Sequence, residues 1–305
     1  MSANISAKQF TDETAAIAHL EASRWPDGVN CPHCGSINIR RMEGKTQAGY
    51  FQCNDCRDKF TCRTGTVMER SHIPVHKWLL AIHLLTASKK GMSAHQLHRM
   101  LGITYKSAWF LCHRIREAMR DGNPAPMGNN GGPVQADETY YGNTSKRAKH
   151  YRKGHSQKSG VVALVEPATG KARAFAIKSA TAEKVGKILY TNVRRKAVLV
   201  TDESRLYDFS GTQYSEHQTV LHTASKYVNK DGYTTNNVEN LFGVFKKKGM
   251  VGVFHFCGEQ HLQRYLNEFA FRYSNRSGLG VNDTMRAELA LKGIEGKRLT
   301  YRRPH

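Results

Sequence analysis

The chain has 305 residues, of which 46 are lysine or arginine and 25 are aspartate or glutamate, giving a formal net charge of +21 at pH 7. Positive charge is spread along the sequence rather than confined to one tail, so a polyanion is the expected partner. The alternative is that this chain is a generally basic protein with no nucleic-acid role. No stretch approaches the roughly 18 to 20 consecutive apolar residues of a membrane span, and the first residues lack the apolar core of a secretory signal, so we expect a cytoplasmic protein that does not engage a membrane.

The N-terminal segment, residues 1–25, is predicted to be helical. Ser6 can cap a helix, and Phe10, Ile17 and Leu20 supply an irregular apolar face. The length of the chain leaves room for one catalytic domain of ordinary size and one or two small modules. This segment is therefore assigned as a separate element at the N-terminus.

Residues 26–70 contain two pairs of cysteines, each with two residues between its members, and 18 residues separate the pairs. This spacing is typical of a zinc ribbon, in which two turns present four thiolates around a tetrahedral Zn²⁺. Four thiolates leave no open position, so the role is structural. Unligated cysteines or a redox pair are the alternatives, and His33 and Cys62 are near enough to be considered as ligands. The predicted ligands are Cys31, Cys34, Cys53 and Cys56.

Residues 74–120 are predicted to form three helices, because apolar residues recur there at helical spacing. The last two have the pattern of a helix-turn-helix: Ser93 caps one helix, Gly102 supplies the turn, and the next helix begins near Thr104. We interpret this module as DNA-binding, and a spacer with a merely solvated charged face is the alternative. The candidate DNA-contacting residues are Lys106, Trp109, His113 and Arg114.

A linker and a second domain follow. Glycine, proline and asparagine are concentrated in residues 121–133, which marks a domain boundary. Residues 134–280 read as three strands, a helix, two further strands and closing helices, which predicts a mixed α/β domain. Residues 281–305 are expected to be a frayed basic tail. Strands are expected near 134–136, 160–165, 172–177, 197–200 and 219–221, and helices over 181–193, 236–248 and 259–272.

Three carboxylates stand in positions suited to metal chemistry. Asp137 lies in an apolar strand pattern, Asp202 ends another, and Glu239 opens a helix. Two aspartates on strands and a glutamate on a later helix can converge on a pair of divalent cations, the arrangement that cuts and joins phosphodiesters. The pattern therefore predicts cleavage and strand transfer of a nucleic acid.

Two of these aspartates are followed directly by a glutamate. Because successive side chains on a strand point to opposite faces, we expect only one member of each pair to face the metals. Asp137 is preferred, with Glu138 as the fallback, since Val134 and Ala136 would then share the other face. Asp202 is preferred over Glu203, because it directly follows the apolar strand.

Glu239 has two interpretations. Asn236, three residues earlier, would form a helix capping box with it. The alternative is a functional face, because Glu239, Gly243 and Lys246 fall on one side of the helix and an apolar stripe lies beside them. On that interpretation, glycine admits a nucleic-acid backbone, and Lys246, roughly 10 Å from Glu239, contacts a phosphate.

These motifs together resemble the DDE insertion-sequence transposases that carry an N-terminal zinc ribbon. The resemblance covers about residues 25 to 275 and rests on the ribbon, residues 60–66, the helical module, the sequences VQADET at 134–139, VTDE at 200–203 and NNVEN at 236–240, and the closing helix at 261–273. The chain departs from that family at Thr234, where histidine is frequent, and at Phe242, where tryptophan is frequent.

The resemblance implies an RNase H-like fold in which Asp137, Asp202 and Glu239 bind two Mg²⁺, with Mn²⁺ as a possible substitute, and Lys246 completes an extended triad. It implies a transposase that binds terminal inverted repeats and target DNA and catalyses cleavage and strand transfer near the prokaryotic nucleoid. Two ends must be joined, so we expect a homodimer or larger assembly. The alternatives are a non-catalytic zinc-ribbon DNA-binding regulator and a metal-dependent nuclease without joining activity.

Overall fold

The computed structural model describes residues 5–44, 49–142, 158–221 and 228–300. The chain forms two compact units: Met1–Arg120 and Gly280–His305 make up the first, and Asp121–Leu279 the second. Within the described ranges, no helix has the length and apolar composition needed to cross a membrane.

The first unit begins with two short helices where a single helical segment was predicted. Asp12 has an extended backbone, and its Oδ1 accepts the N–H of Ala15 at 2.7 Å, so this residue ends the first helix and caps the second. Ala16 and Leu20 are the buried residues of the second helix. The helices are α1 (Lys8–Thr11) and α2 (Glu13–Arg24).

Three short antiparallel strands follow in the ribbon region, in the order β1-β2-β3. The rings of Trp25, Phe51 and Phe60 pack together there, with centroids 5.5 to 6.0 Å apart. An aromatic cluster of this size is a small core, so an added cross-link is expected to stabilise the region. The strands are β1 (Ile39–Arg41), β2 (Tyr50–Cys53) and β3 (Lys59–Thr61).

The three helices predicted for residues 74–120 are present. Ser93 accepts the N–H of Gln96 at 3.1 Å to begin the second, and Thr104 accepts that of Ser107 at 3.2 Å to begin the third. Gly102 lies between them with φ of 59°, a left-handed conformation that glycine adopts easily. The helices are α3 (Val75–Ala87), α4 (Ala94–Leu101) and α5 (Tyr105–Ala118).

The C-terminal segment corrects the expectation of a frayed tail. It forms a helix, α10 (Asp283–Lys292), that packs against α3 in the first unit. Arg286 is 5% exposed, and its guanidinium donates to the carbonyl of Thr86 at 3.2 Å and to Oδ1 of Asp283 at 2.7 Å. The segment is basic in composition, but Arg286 within it is buried rather than exposed to solvent.

The second unit contains a five-stranded sheet in the order β6-β5-β4-β7-β8. Strand β5 is antiparallel to both of its neighbours, whereas β4, β7 and β8 are parallel to one another. This order and these directions are those of an RNase H-like sheet, as expected. The strands are β4 (Pro133–Tyr141), β5 (Ser159–Glu166), β6 (Lys171–Ile177), β7 (Val198–Thr201) and β8 (Glu216–Thr219).

Helices cover both faces of this sheet, which makes β5 buried along its length. Alternate residues of β5 therefore enter different cores: Val161 packs with α8 and α9, and Val162 packs with α6. Strand β4 alternates in the same way, with Val134 and Ala136 on the α6 side. The helices are α6 (Ala182–Asn192), α7 (Asp208–Gly211), α8 (Asn236–Gly243) and α9 (Glu259–Ser274).

Two elements differ from their predicted positions. The fifth strand begins at Glu216, three residues before the expected position. The helix predicted for 236–248 is α-helical only as far as Gly243 and continues as a π-helical segment, Val244–Phe254. Gly249 of that segment faces Phe269, and a Cβ at this position would overlap the phenyl ring. The close approach of this segment to α9 therefore requires glycine.

Candidate active site

Asp137 and Asp202 meet because of the register of two parallel strands. Gln135 of β4 pairs with Val200 of β7, and each aspartate lies two residues beyond a member of that pair. Asp202 directly follows the end of β7 at Thr201. Carboxylate oxygens of the two aspartates lie within 4.8 Å of each other.

Glu138 joins the same group of oxygens, all within 4.8 Å of one another. It comes from the opposite face of β4 from Asp137, so the expectation that only one of the two could join the group is wrong. The sheet explains this, because β7 ends at Thr201 and leaves the edge of β4 open beside residues 137 and 138. A glutamate side chain is long enough to turn around that edge.

The electrostatics of this group favour a bound cation. Burial raises the pKa of Asp137 to about 8, and the negative charges of Asp202, Glu138 and Glu239 add to the rise, against the N–H of Glu138, which donates to Asp137. Like charges at this separation repel, and a divalent cation between them removes the repulsion. Carboxylate oxygens are also the protein ligands that Mg²⁺ prefers. The donor set therefore fits Mg²⁺ or Mn²⁺.

Glu239 lies on α8, outside the closest group of oxygens in the described residues. Its Oε1 accepts the hydroxyl of Thr235 at 2.6 Å, and its charge acts on Asp137. The residue at the N-cap position of α8 is Thr235 rather than Asn236, so Glu239 is the fourth helical residue and the capping box, the alternative interpretation of Glu239, does not form.

Gln135 is a residue of the site that sequence reasoning missed. Its side chain is 2% exposed, and its Oε1 accepts the N–H groups of Asn237 at 3.1 Å and Val238 at 3.2 Å. Tyr273 holds the same turn, since its hydroxyl donates to the carbonyl of Asn237 at 3.1 Å. Gln135 thus caps α8 from β4 and positions Glu239 near Asp137. The available signal was a polar residue two positions before Asp137, on the same face of an apolar strand.

Replacing Gln135 by leucine removes this cap. We expect the free energy of unfolding to fall by about 1 to 3 kcal/mol, because two buried N–H groups lose their acceptor. We also expect a smaller rise in melting temperature on addition of Mg²⁺, because Glu239 is no longer held. Gln213→Leu, at an exposed site, is the control. A wild-type response to Mg²⁺ in Gln135→Leu would exclude the positioning role.

Lys246 lies along the same face of β4 as Asp137. Its Nζ donates to Oγ1 of Thr139 at 3.0 Å, and Thr139 is two residues beyond Asp137 on that strand. Gly243, one turn earlier, has open space where a Cβ would be. The arrangement leaves a cation and an uncovered helix surface on the side of the carboxylates.

The predicted zinc ligands form a second group, in the first unit. The four Sγ atoms lie within 4.8 Å of one another, and the group includes neither His33 nor Cys62 among the described residues. Backbone N–H groups, that of Cys56 first, lower the pKa of Cys53 to about 7, whereas burial and hydrogen bonds with the neighbouring thiols raise the pKa of Cys56 to about 12, because four adjacent sulfur atoms compete to ionise. Four converging thiols of this kind fit a tetrahedral Zn²⁺. The members are Cys31, Cys34, Cys53 and Cys56.

The helix-turn-helix residues divide into exposed and buried side chains. Lys106 is exposed and Trp109 half-buried, but His113 and Arg114 are 0% and 8% exposed. The guanidinium of Arg114 donates to the carbonyl of Leu299 at 3.4 Å. The prediction that His113 and Arg114 face a DNA groove is therefore corrected, because both side chains are buried.

The sheet order defines an RNase H-like domain, and three carboxylates converge at the end of its β7 strand. The model of the ISXO2-like transposase domain matches residues 130–274, and that of the transposase zinc-ribbon domain matches residues 11–59. The chain therefore belongs to the zinc-ribbon DDE transposases of insertion sequences.

Individual relatives have low sequence identity to this chain. The chain is 27% identical over 238 residues to an uncharacterized protein in transposable element ISH50 of Halobacterium salinarum, which covers 73% of this chain and 79% of the relative. Among solved structures, the HTLV-2 integrase catalytic core domain in complex with magnesium is 15% identical with a TM-score of 0.28, covering 46% of this chain and 84% of that one. The Mos1 transposase paired-end complex is 10% identical with a TM-score of 0.20, covering 61% and 73%.

Proposed function

We propose that this chain is the transposase of an insertion sequence, which cleaves DNA at the terminal inverted repeats of the element and joins the ends to target DNA. The observation that carries the proposal is the convergence of Asp137 and Asp202 on an RNase H-like sheet, with oxygens within 4.8 Å and the charge of Glu239 acting on the same group. Transposition would take place in the cytoplasm, at the nucleoid.

Asp137, Asp202 and Glu239 would hold Mg²⁺ in this proposal. A divalent cation held there would supply Lewis-acid activation of water or a 3′-hydroxyl and charge stabilisation at the leaving oxygen, the chemistry of an in-line displacement at phosphorus. Asp137 and Asp202 are fixed by adjacent strands, and Gln135 fixes the helix that carries Glu239. No covalent protein intermediate is needed.

Lys246 is proposed to bind the DNA backbone beside these carboxylates. Its ammonium group is held near β4 by Thr139, at the surface that Gly243 leaves open. A lysine at this place neutralises a phosphate next to the reacting one, and an uncovered helix surface allows close approach of the backbone.

The first unit is proposed to bind the element ends. The zinc ribbon and the helix-turn-helix would contact DNA, with Lys106 and Trp109 at the exposed start of α5 and His113 and Arg114 supporting that helix from within. Two ends have to be processed together, so the active form is proposed to be a homodimer or larger assembly on DNA.

Replacing Lys106 by glutamate tests this surface. We expect weaker binding to end DNA, and a slope of log K against log salt that is smaller by about 1, because one phosphate contact is lost. Fluorescence anisotropy over a range of salt concentrations measures both. Lys292→Glu, an exposed change on α10 with the same charge difference, is the control. Equal losses in the two variants would assign the effect to net charge rather than to this helix.

A cleavage and joining assay tests the function. Purified protein is incubated with labelled DNA carrying the terminal inverted repeats of the element and a target plasmid, in Mg²⁺ or in EDTA. We expect cuts at the repeats and joined products in Mg²⁺ alone. Cuts without joining would support the nuclease alternative, and binding without cuts would support the regulator.

A further inference from the structure

Glu138 has an environment that the proposed reaction does not explain. The hydroxyl of Tyr207 donates to its Oε2 at 2.7 Å, and Oγ of Ser204 donates to its Oε1 at 3.1 Å. Tyr207 is completely buried, so packing fixes the position of its hydroxyl group. The carboxylate is therefore held in one orientation.

The two hydroxyl groups belong to the segment that follows Asp202. The N–H of Ser204 also donates to Oδ1 of Asp202 at 3.1 Å, so this short segment fixes both carboxylates relative to each other. Among the described residues, each oxygen of Glu138 receives one hydroxyl donor, and a carboxylate oxygen has two lone pairs. One acceptor position on each oxygen is left for another partner.

The charge of this group indicates what that partner is. Asp137, Glu138 and Asp202 place three carboxylates within 4.8 Å, and in the part of the chain that the structure describes no lysine or arginine forms an ion pair with any of them. Three carboxylates this close repel one another, and a divalent cation among them removes that repulsion.

We propose that Glu138 supplies a further oxygen ligand to the divalent cation of this site, and that Tyr207 and Ser204 orient it. The inference rests on the proposed function and extends it, because four carboxylates instead of three would then surround the metal. Glu138 is on the far face of β4 from α8, the helix that carries Glu239. Its contribution does not require DNA to be bound.

Mn²⁺ binding to the full-length protein without DNA tests the inference. Free Mn²⁺ is followed by electron paramagnetic resonance during titration of the wild type, Glu138→Gln, Tyr207→Phe and Asp202→Asn. We expect about a tenfold or larger loss of Mn²⁺ affinity for Glu138→Gln, because this variant loses a proposed metal ligand. We expect a smaller loss for Tyr207→Phe, because Tyr207 only orients that ligand. Glu203→Gln, an exposed neighbour, is the matched control and is expected to bind as the wild type.

The variants separate the possible failures. Wild-type affinity in Glu138→Gln, with a loss in Asp202→Asn, would overturn the role of Glu138 and leave the proposed function intact. Wild-type affinity in both would reject the metal site itself. A purely structural role would lower the metal-free melting temperature of Glu138→Gln without changing its Mn²⁺ affinity. Should Glu138→Gln not fold, a wild-type affinity in Tyr207→Phe would overturn the proposed orientation and with it the inference.

Discussion

Replacing Asp202 by asparagine is expected to slow cleavage and strand transfer at the element ends by about 1,000-fold or more. A bound metal supplies several kcal/mol of charge stabilisation in the transition state, and an amide is a poor substitute for a carboxylate ligand. Asparagine retains the Oδ1 that accepts the N–H of Ser204, so the local fold is preserved. The metal-free protein is expected to be at least as stable as the wild type, because one of three close carboxyl groups is replaced by a neutral amide.

The measurement is the rate of a single turnover in Mg²⁺, with the melting temperature taken in EDTA. Asp208→Asn, which removes an exposed carboxylate six residues further along the chain, is the control and is expected to react as the wild type. Activity of Asp202→Asn within about tenfold of the wild type would show that this carboxylate does not hold the metal.

Replacing Cys53 by serine is expected to abolish zinc binding and unfold the ribbon. Cys53 is fully buried, lies at the end of β2, and its Sγ is 3.6 Å from that of Cys34. Binding of structural Zn²⁺ contributes about 10 to 16 kcal/mol to folding in small modules, which is far more than the three-ring cluster beside it supplies. Loss of the metal therefore cannot be offset by the remaining contacts.

Zinc content by mass spectrometry and hydrogen exchange across residues 26–70 measure the effect. We expect less than one zinc per chain, rapid exchange in the ribbon, unchanged exchange in β4 and β5, and loss of binding to end DNA. Cys112→Ser, a change at a buried cysteine of α5, should keep its zinc. Full zinc occupancy with slow exchange in Cys53→Ser would contradict the assignment.

Much of the fold was predictable from the sequence because it follows local rules. Ser93, Gly102 and Thr104 act as a cap, a turn and a second cap, the functions that their residue types favour. Strand β5 was recognisable as a continuous apolar run, since it is covered on both faces. The cysteine spacing likewise predicted the four-thiol group.

The remaining features depend on contacts between distant parts of the chain. Arg114 was a candidate for contact with a DNA groove, but its side chain is buried and donates to the carbonyl of Leu299, 185 residues further along the chain. Arg286 is buried for a similar reason, since the segment read as a tail packs against α3. Helical periodicity identifies a charged face but cannot say which distant segment covers it.

In the candidate site, too, some features follow from local sequence patterns and others depend on contacts between distant residues. Alternation along β4 correctly separated Asp137 from Glu138, but it could not predict that β7 ends at Thr201 and lets both carboxylates reach Asp202. Gln135 was overlooked because the cap of a helix was sought in the residues just before it. Tertiary structure placed that cap on a strand about 100 residues earlier in the chain.

A crystal structure with Mn²⁺, recorded at a wavelength where manganese scatters anomalously, tests the central claim most directly. We expect anomalous density within about 2.0 to 2.3 Å of carboxylate oxygens of Asp137 and Asp202, with Glu239 directed at the same ions. Density elsewhere, or a Glu239 carboxylate directed away from these two aspartates, would contradict the assignment of this site as the catalytic centre of a DDE transposase.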